Sequence, residues 1–331
     1  MSGIKALRKI QLARETTAGA ITAATTVWRG MGTLEDKRET KFPEEDVGIL
    51  PITSRNYVPK LFGSIAMDSV EATYEQAPHI FEAAIKAATP AQDGSGSGYI
   101  RIYPFPITAT QPLNKTYTIE GGDNQQAEVM EYAYVPDFTL EWKAGEAWMI
   151  TANWEGRQIA KQAFTGSVAI PTVEEVLAPK IYVDPVSSTY GTTLKTLTLL
   201  GVKLEYKSGL IPKFTAEGEL YFSFLQQVRP EATMTLTFEH NDTAVAEKDA
   251  WIAKTARNVR VLAEGSTFTT VGSAYSKKTQ IIDLTGKYES FGPLGDQDGN
   301  DVIEAVLKGA YDTTAAFFGR IINVNTLSAL P

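Results

Sequence analysis

The sequence predicts a mainly β fold made of two similar domains, each a β-sandwich or barrel flanked by one α-helix. The first observation is a repeated pattern. Residues 9–34 and 180–204 both contain a strand that begins with Lys-Ile, a turn rich in Thr and Ser, a glycine and a second strand. The second observation is that several later segments alternate apolar and polar residues, which is the signature of a strand with one buried face.

The similarity continues in the same order along the chain. In each part an alternating strand precedes a short predicted helix, and further strands follow. The segments that resemble each other are 60–73 and 231–239, 77–88 and 246–257, 116–122 and 279–286, and 147–156 and 301–312. An ordered series of this kind is typical of internal duplication. We therefore expect a first domain over residues 1–178 and a second over 179–331.

Alternation is clearest at 233–239, where Met234, Leu236 and Phe238 lie on one face and threonines on the other. The same pattern predicts strands at 138–143, 148–154 and 214–224. Sheets with one buried and one hydrated face are typical of sandwiches and barrels.

Each predicted helix carries an apolar stripe that could cover one sandwich. The stripe of the first helix consists of Ile80, Phe81, Ala84, Ile85 and Ala88. The stripe of the second consists of Trp251, Ile252, Thr255, Ala256 and Val259. We expect both helices to pack on the core.

Composition excludes several classes of protein. The 331 residues contain no cysteine, which excludes disulfides, thiol nucleophiles and metal sites built on cysteine. The formal net charge of −8 disfavours a protein that binds nucleic acid through clustered Lys and Arg. The first residues lack the apolar core of a signal peptide, and no apolar run approaches the ~18 residues of a membrane helix. We expect a protein made and assembled in the cytosol, with no membrane partner.

The search for catalytic or ligand-binding chemistry predicts no site. Phosphate-loop, zinc-helix and nucleophile-elbow motifs are absent from the sequence. His79 and His240 each lie beside a predicted helix, where we expect polar contacts. Glu217 and Glu219 are two residues apart on a predicted strand, which favours a solvated acidic surface over an acid–base pair. We therefore predict no enzyme activity, no metal and no cofactor.

Residues 295–305 imitate part of a calcium-binding loop. Asp296, Asp298 and Asn300 occupy its first three ligand positions. However, Asp301 stands where the loop needs glycine, and Leu307 stands where it needs a bidentate glutamate. We interpret this segment as a tight turn between strands.

Residues 30–59 predict a long projecting loop, because they mix both charge signs with prolines and lack apolar periodicity. Loops of this length inside a domain usually bind something or become ordered on assembly. The corresponding connection in the second part, 205–214, is expected to be much shorter.

Several segments resemble the tail tube proteins of long-tailed phages, in particular the larger subunits that carry two tube domains in one chain. The resemblance is carried by residues 5–19, 116–142, 147–158, 180–193 and 214–224. These segments are β-framework patterns and contain no catalytic signature. The resemblance spans most of the chain.

The resemblance implies a structural virion protein. In that family a β-sandwich flanked by a helix contributes its inner sheet to a ring with a β-lined channel, and the rings stack into a tube that conducts DNA. A chain with two such domains would form a pseudo-hexameric ring from three copies. The implied partners are other copies of the chain, together with tape measure, tail terminator and distal tail proteins, in a virion tail assembled in the host cytoplasm. DNA would pass through without specific binding.

A channel that conducts DNA should repel its phosphates, and carboxylates act over roughly the ~8–10 Å Debye length. We expect the lumen-facing residues to be Asp68, Glu71, Glu141, Glu217 and Glu219. The family places a long loop between rings, so the charged residues of the projecting loop are the candidates for that contact. They are Glu35, Asp36, Lys37, Arg38, Glu39, Lys41, Glu44, Glu45, Asp46 and Arg55.

Two other classes remain open. A two-domain β-sandwich binding module, such as an adhesin or carbohydrate-binding protein, would have the same strands but would expose an aromatic platform. The tryptophans lie mainly in apolar rows or in the helix stripe, which favours core positions; they are Trp28, Trp142, Trp148, Trp154 and Trp251. An enzyme is the least favoured class.

Overall fold

A computed structural model describes residues 2–108, 111–186 and 189–331 of the chain. Strands account for 46% of the residues and helices for 7%. The described residues form twenty strands and two α-helices. The prediction of a mainly β fold with two helices is confirmed. Below, the first half means residues up to 178 and the second half the residues that follow.

The first half consists of strands and one α-helix, which lies between β4 and β5. They are β1 (Lys9–Arg14), β2 (Thr26–Trp28), β3 (Gly32–Asp36), β4 (Gly63–Glu71), α1 (Ala77–Ala84), β5 (Ala91–Gln92), β6 (Tyr99–Pro104), β7 (Tyr117–Gly122), β8 (Ala127–Lys143), β9 (Met149–Gly156) and β10 (Ile159–Lys161). A short 3-10 turn at Lys5–Leu7 precedes them.

The second half also contains one helix. Its elements are β11 (Lys180–Pro185), β12 (Leu199–Lys207), β13 (Leu210–Lys213), β14 (Phe224–Gln227), β15 (Glu231–Glu239), α2 (Asp242–Ile252), β16 (Arg257–Thr267), β17 (Lys277–Phe291), β18 (Gly295–Gln297), β19 (Asn300–Gly309) and β20 (Gly319–Asn325).

One large antiparallel sheet runs through both halves in the order β3, β4, β9, β8, β12, β15, β19, β17. We call it the large sheet. Alternate residues of its strands are buried on one side, for example Ile65 and Met67 on β4 and Leu204 and Tyr206 on β12. These residues belong to one hydrophobic core that is continuous between the halves. The opposite side is the polar face.

The long strands β8 and β17 connect the large sheet with a second layer. The first part of β8 pairs with β7 and β10, and its last part pairs with β9 and β12. The register shifts between Tyr134 and Asp137, around Pro136, which has no backbone N–H to donate to the ladder. Likewise β17 pairs first with β16 and β20 and then with β19, with a shift between Tyr288 and Ser290. Strands that change sheets at such irregularities form the corners of a sandwich.

The two helices differ in burial, because α1 is enclosed and α2 lies at the surface. All residues of α1 are buried, and the Phe81 ring contacts those of Phe138 on β8 and Tyr103 on β6 at centroid distances of 5.6 and 5.5 Å. In the second half α2 packs against β17. A further link between the halves is the pairing of β6 with β20, in which Tyr103 lies opposite Ile321.

Strand pairing follows the same order in both halves. The first half has β3, β4, β9, β8, β7, β1, and the second has β12, β15, β19, β17, β16, β11. The two halves therefore share one pairing order over six strands each. One expected correspondence differs, because 116–122 forms β7, whose counterpart by pairing is β16 and not the segment 279–286 in β17.

The second helix lies four residues earlier than the sequence predicted. It begins at Asp242 because the Asn241 side chain accepts hydrogen bonds from the backbone N–H of Thr243 (3.0 Å) and Ala244 (3.2 Å). Its buried residues are Ala244, Glu247 and Ala250. The expected stripe over Trp251, Ile252, Thr255, Ala256 and Val259 is therefore wrong: Ile252 is exposed and Val259 lies on β16.

One expected strand and two expected loops also differ from the structure. Residues 214–224 do not form one strand, because Gly218 adopts a left-handed conformation (φ +91°) within a series of bends. The projecting loop expected at 30–59 is shorter at its start, since Gly32–Asp36 form β3. The corresponding connection in the second half runs from 208 to 230, so it is comparable in length and not much shorter.

No helix in the described segments is long and apolar enough to cross a bilayer. The two α-helices contain eight and eleven residues.

We predict that Asn241→Ala lowers the free energy of unfolding by about 0.5–2 kcal/mol, because the first turn of α2 loses its cap. Chemical denaturation measures the change. Asn241→Asp keeps an acceptor at the same position and serves as the matched control, with stability close to that of the unmodified chain. Equal stability of the Ala variant would contradict a capping role.

Candidate functional site

The polar face of the large sheet carries ionisable side chains from strands of both halves. Along β4 the side chains of Ile65, Met67 and Val70 are buried, while Asp68 and Glu71 are exposed on the other side. Register places Glu71 opposite Met149 of β9, Met149 opposite Glu141 of β8, and Glu141 opposite Lys203 of β12. Glu71 and Glu141 therefore lie in one row that crosses the junction between the halves.

The structure separates the five predicted lumen residues into two groups. Asp68, Glu71 and Glu141 lie on the polar face, and Glu141 pairs with Lys143 at 3.0 Å. Glu217 and Glu219 are exposed in the connection between β13 and β14 and are not on a strand, which corrects their assignment to a sheet face. The bends around Gly218 interrupt the alternation that the sequence suggested.

Sequence reasoning missed most of the carboxylates on the polar face. They are Glu35, Asp137, Glu155, Glu205, Glu231, Glu239, Glu289 and Glu304. The lysines on the same face are fewer, namely Lys143, Lys203, Lys207, Lys287 and Lys308. On β12 the buried residues Val202, Leu204 and Tyr206 alternate with charged residues. This alternation in the sequence could have placed Glu205 on the polar face.

Ion pairs on this face are exposed. Lys203 and Glu205 are 2.5 Å apart, and Lys308 and Glu289 are 3.4 Å apart. Exposed pairs of this kind contribute only about 0–1 kcal/mol. Carboxylates outnumber lysines on the face, so its overall charge is negative.

The large sheet ends in two free edges. Residues 137–143 of β8 pair with β9 on one side and with β12 on the other. The counterpart part of β17, residues 287–291, pairs with β19 only, as far as the described residues extend. At the other end, β3 pairs with β4 and with no other strand of the described segments. Grooves of about 190 and 330 Å³ lie along β3, next to Gly32 and Thr33.

The orientation of the β3 backbone follows from its hydrogen bonds. Lys37 donates its N–H to the Phe62 carbonyl at 2.8 Å, on the side of β4. Backbone groups of successive residues in a strand point to opposite sides. The N–H of Asp36 therefore points to the free edge. In β12 the counterpart residue Tyr206 lies opposite Phe138 of β8.

The connection between β3 and β4, residues 37–62, is a long hairpin that we call the long loop. Lys41 and Tyr57 exchange backbone hydrogen bonds of 2.8 and 3.0 Å across it. Glu45 accepts from Thr53 at 2.7 Å and pairs with Arg55 at 2.6 Å. The hairpin is thus held together by contacts within itself.

Most of the charged residues predicted to contact a neighbouring ring are paired locally. The pairs are Lys37 with Glu35, Arg38 with Asp36, Lys41 with Glu39 and Arg55 with Glu45. Glu35 and Asp36 belong to β3 and not to the loop. Glu44 and Asp46 are exposed charges near the tip.

The tip of the long loop is apolar and exposed, which sequence reasoning missed. Val47, Ile49, Leu50 and Ile52 expose half or more of their surface, and Leu50 is fully exposed. The surrounding charges obscured this short run in the sequence. A cluster of exposed aliphatic side chains on a projecting hairpin is a typical contact surface for another protein.

Polar side chains near α1 form a hydrogen-bonded network around Glu82 and Tyr117. Arg14 donates to Glu82 at 2.8 Å, the Tyr117 hydroxyl donates to Glu82 at 3.3 Å, and His79 Nδ1 lies 3.2 Å from the Tyr117 hydroxyl. Burial raises the pKa of Glu82, and the Arg14 guanidinium opposes that rise. Burial lowers the pKa of His79 to about 3, and Arg14 and Arg101 act in the same direction.

The two histidines therefore occupy different environments. His79 is buried within α1, whereas His240 is exposed and precedes α2. The expected polar contact is found for His79, at the Tyr117 hydroxyl, whereas the described residues give the His240 side chain no hydrogen bond. At the position in α2 that corresponds to Glu82, the buried Glu247 pairs with Lys195 at 2.8 Å and with Arg257 at 2.9 Å.

The segment that imitates a calcium loop is a tight hairpin between β18 and β19. Asp298 and Gly299 both have positive φ angles, of 56° and 84°. Two consecutive positive φ angles are typical of a two-residue type I′ turn. The interpretation as a turn is confirmed. Within the described residues no group of three His, Asp or Glu side chains could hold a metal ion.

The tryptophans pack in or against the core. Trp28, Trp148 and Trp154 are buried, and Trp142 and Trp251 are partly buried and contact the core cluster. The core positions expected from the sequence are confirmed. None of the five forms an exposed aromatic platform.

No family model matches the sequence, and comparison with curated proteins found no significant match.

We predict that His79 makes the protein sensitive to mild acid. An unfolded histidine has a pKa near ~6.5, whereas burial holds the pKa of His79 at about 3. Below pH ~6.5 the unfolded chain binds a proton that the folded chain does not, so stability falls as the pH is lowered, by up to about 1.4 kcal/mol per pH unit.

The measurement is chemical denaturation at several pH values between 5 and 7. His79→Gln should show a smaller loss of stability on acidification than the unmodified chain. His240→Gln replaces the exposed histidine and serves as the matched control. Identical slopes for all three proteins would show that His79 does not carry the effect.

Proposed function

We propose that the chain is a structural subunit that self-assembles into rings and a stacked tube, the tail tube of a long-tailed phage. The observation that carries this proposal is the junction between β8 and β12. It joins the large-sheet strands of the two halves edge to edge, and the counterparts of those two edges, on β17 and β3, remain free at opposite ends of the same sheet.

The two free edges, on β3 and β17, could pair with each other between copies in the same way that β12 pairs with β8 within one chain. If β3 of one copy pairs with β17 of another as β12 pairs with β8, each junction between chains repeats the junction within a chain. Such contacts are heterologous and close into a ring when the rotation permits. Six similar halves then make a ring from three copies. Pairing also covers edge strands that would otherwise promote aggregation.

The polar face would line the channel of such a ring. It carries Asp68, Glu71 and Glu141 together with the further carboxylates of β12, β15 and β19. A negative wall repels the phosphates of duplex DNA, which carries one charge per ~1.7 Å of its axis. The duplex would therefore pass without adhering.

The charged stem of the long loop is the proposed contact between stacked rings. Its residues Lys37, Arg38, Glu39 and Lys41 lie next to the β3 and β4 end of the large sheet. Stacking contacts do not close and therefore propagate into a tube. Tape measure, tail terminator and distal tail proteins are the proposed partners at its interior and its ends, in the virion tail.

A two-domain binding module is the less supported alternative. Adhesins and carbohydrate-binding modules need an exposed aromatic platform, and the five tryptophans here are buried or pack against the core.

The first test is assembly of the purified chain. We expect hollow tubes or three-fold rings in negative-stain electron microscopy, and light scattering that rises steeply with protein concentration. A chain that stays monomeric at all concentrations and ionic strengths would contradict the proposal.

A second prediction concerns the free edge of β3. Asp36→Pro removes the N–H that points to that edge while the hydrogen bond from Lys37 to Phe62 is retained. We expect a folded monomer with its circular dichroism unchanged and ring formation reduced at least tenfold. Asp36→Ala keeps the N–H and should assemble normally. Normal rings from the Pro variant would exclude β3 from the junction.

A further inference from the structure

The connections that follow β3 and β12 are counterparts in the two halves. Leu34 lies opposite Ile65, and Leu204 lies opposite Met234, so the two strands enter their connections at equivalent positions. Residues 37–62 form the long loop in the first half. Residues 208–230 form the β13 and β14 hairpin in the second half.

The hairpin of the second half is docked on the first half. Arg157 donates to the carbonyl oxygens of Phe222 (2.9 Å) and Ser223 (2.6 Å), and Leu61 N–H donates to the Leu220 carbonyl at 2.8 Å. The buried Phe222 ring contacts Tyr132 at a centroid distance of 5.0 Å. The docked segment is therefore Leu220 to Ser223.

The second half has a groove at the position equivalent to this docking site. Arg157 follows Gly156 at the end of β9, and Ala310 follows Gly309 at the end of β19. The groove measures about 600 Å³ and is lined by Val228, Pro230, Ala310, Tyr311 and Phe318 of the second half and by Pro106 and Ile107 of the first half. Its walls combine apolar and polar groups, and it is open to solvent in the single chain.

The long loop presents a matching segment. When the two connections are aligned from β3 and β12, Leu220 to Ser223 correspond to residues 50–53, and Ile52 takes the place of Phe222. Ile52 is exposed in the single chain, whereas its counterpart Phe222 is buried. Leu50 is also exposed, and its counterpart Leu220 is partly exposed even in the docked hairpin.

We infer that Leu50 and Ile52 of one copy insert into the groove beside Ala310 and Tyr311 in the second half of a neighbouring copy. The inference rests on the proposed ring and names the docking site that the ring would use. The β12 strand that pairs with β8 carries the hairpin that docks on the first half. In the same way, a β3 strand paired with β17 of a neighbour would carry the long loop to the second half of that neighbour.

Charges at the two surfaces are complementary. Arg229 is exposed at the rim of the groove, and the described residues give it no ion pair. Glu44 and Asp46 flank the apolar tip and are also exposed without an ion pair in the described part of the chain. Docking would place these carboxylates near the Arg229 guanidinium.

Engineered cysteines test the contact directly, because the chain contains no cysteine of its own. Ile52→Cys with Ala310→Cys should form disulfides between copies under mild oxidation, visible as dimers and closed trimers on a non-reducing gel. The matched control combines Ile52→Cys with Val271→Cys, an exposed apolar position outside the groove. We expect at least tenfold less crosslinking from the control pair.

The possible outcomes separate the inference from the proposed function. Rings or tubes without preferential crosslinking of the Ile52 and Ala310 pair would overturn the inference and leave the proposed function standing. Failure of the unmodified chain to assemble at all would overturn both. Preferential crosslinking in assembled rings would support the inference.

A second variant tests the apolar tip without cysteine chemistry. Leu50→Ser combined with Ile52→Ser should leave the monomer folded, because both side chains are exposed, and should raise the protein concentration needed for assembly at least tenfold. Val245→Ser changes an exposed apolar residue on α2 and serves as the control. Equal assembly of both variants would contradict docking of the tip.

Discussion

The backbone pairing of β8 with β12 is the constraint on which the rest of the structure depends. It joins residues 137–143 to 201–207 by antiparallel register and so makes one sheet out of two halves. The halves share one pairing order. Pairing of β8 with β12 satisfies one pair of edges, and the equivalent edges, on β17 and β3, have no partner among the described residues. Unpaired edge strands favour pairing with another chain. The single chain therefore contains both the interaction and the two surfaces needed to repeat it.

The position of the junction is set by the bend of β8. Both β8 and β17 begin in the second layer and end in the large sheet, and the bend of β8 brings its last residues to the edge where β12 pairs. Buried carboxylates at the same place in each helix, Glu82 and Glu247, contact basic residues of the surrounding strands and connections. Removing one partner of a buried ion pair is strongly destabilising, about 3–5 kcal/mol. These contacts help to fix each helix relative to its sheet.

Sequence alone predicted the elements whose burial follows a simple period, such as Met234, Leu236 and Phe238 on β15. It misplaced α2, although the cap preference of Asn241 was a local signal for the start of that helix. It could not predict the pairing of β8 with β12, because sheet register between distant segments depends on tertiary packing. Neither could it find the groove beside Ala310, whose walls come from three separate connections. The charge of the long loop was evident, whereas the exposure of Leu50 became apparent only in the folded chain.

The distribution of apolar side chains explains why association would use edges and the loop tip rather than the polar face. On β15 the outward residues Thr233, Thr235 and Thr237 carry hydroxyl groups, so this part of the sheet gives a partner little apolar surface to bury. The neighbouring carboxylates lose solvation if another surface covers them. The tip of the long loop, in contrast, exposes Val47, Ile49, Leu50 and Ile52 close together. The same alternation that builds the core therefore keeps the polar face hydrated and leaves apolar surface at the margins of the sheet.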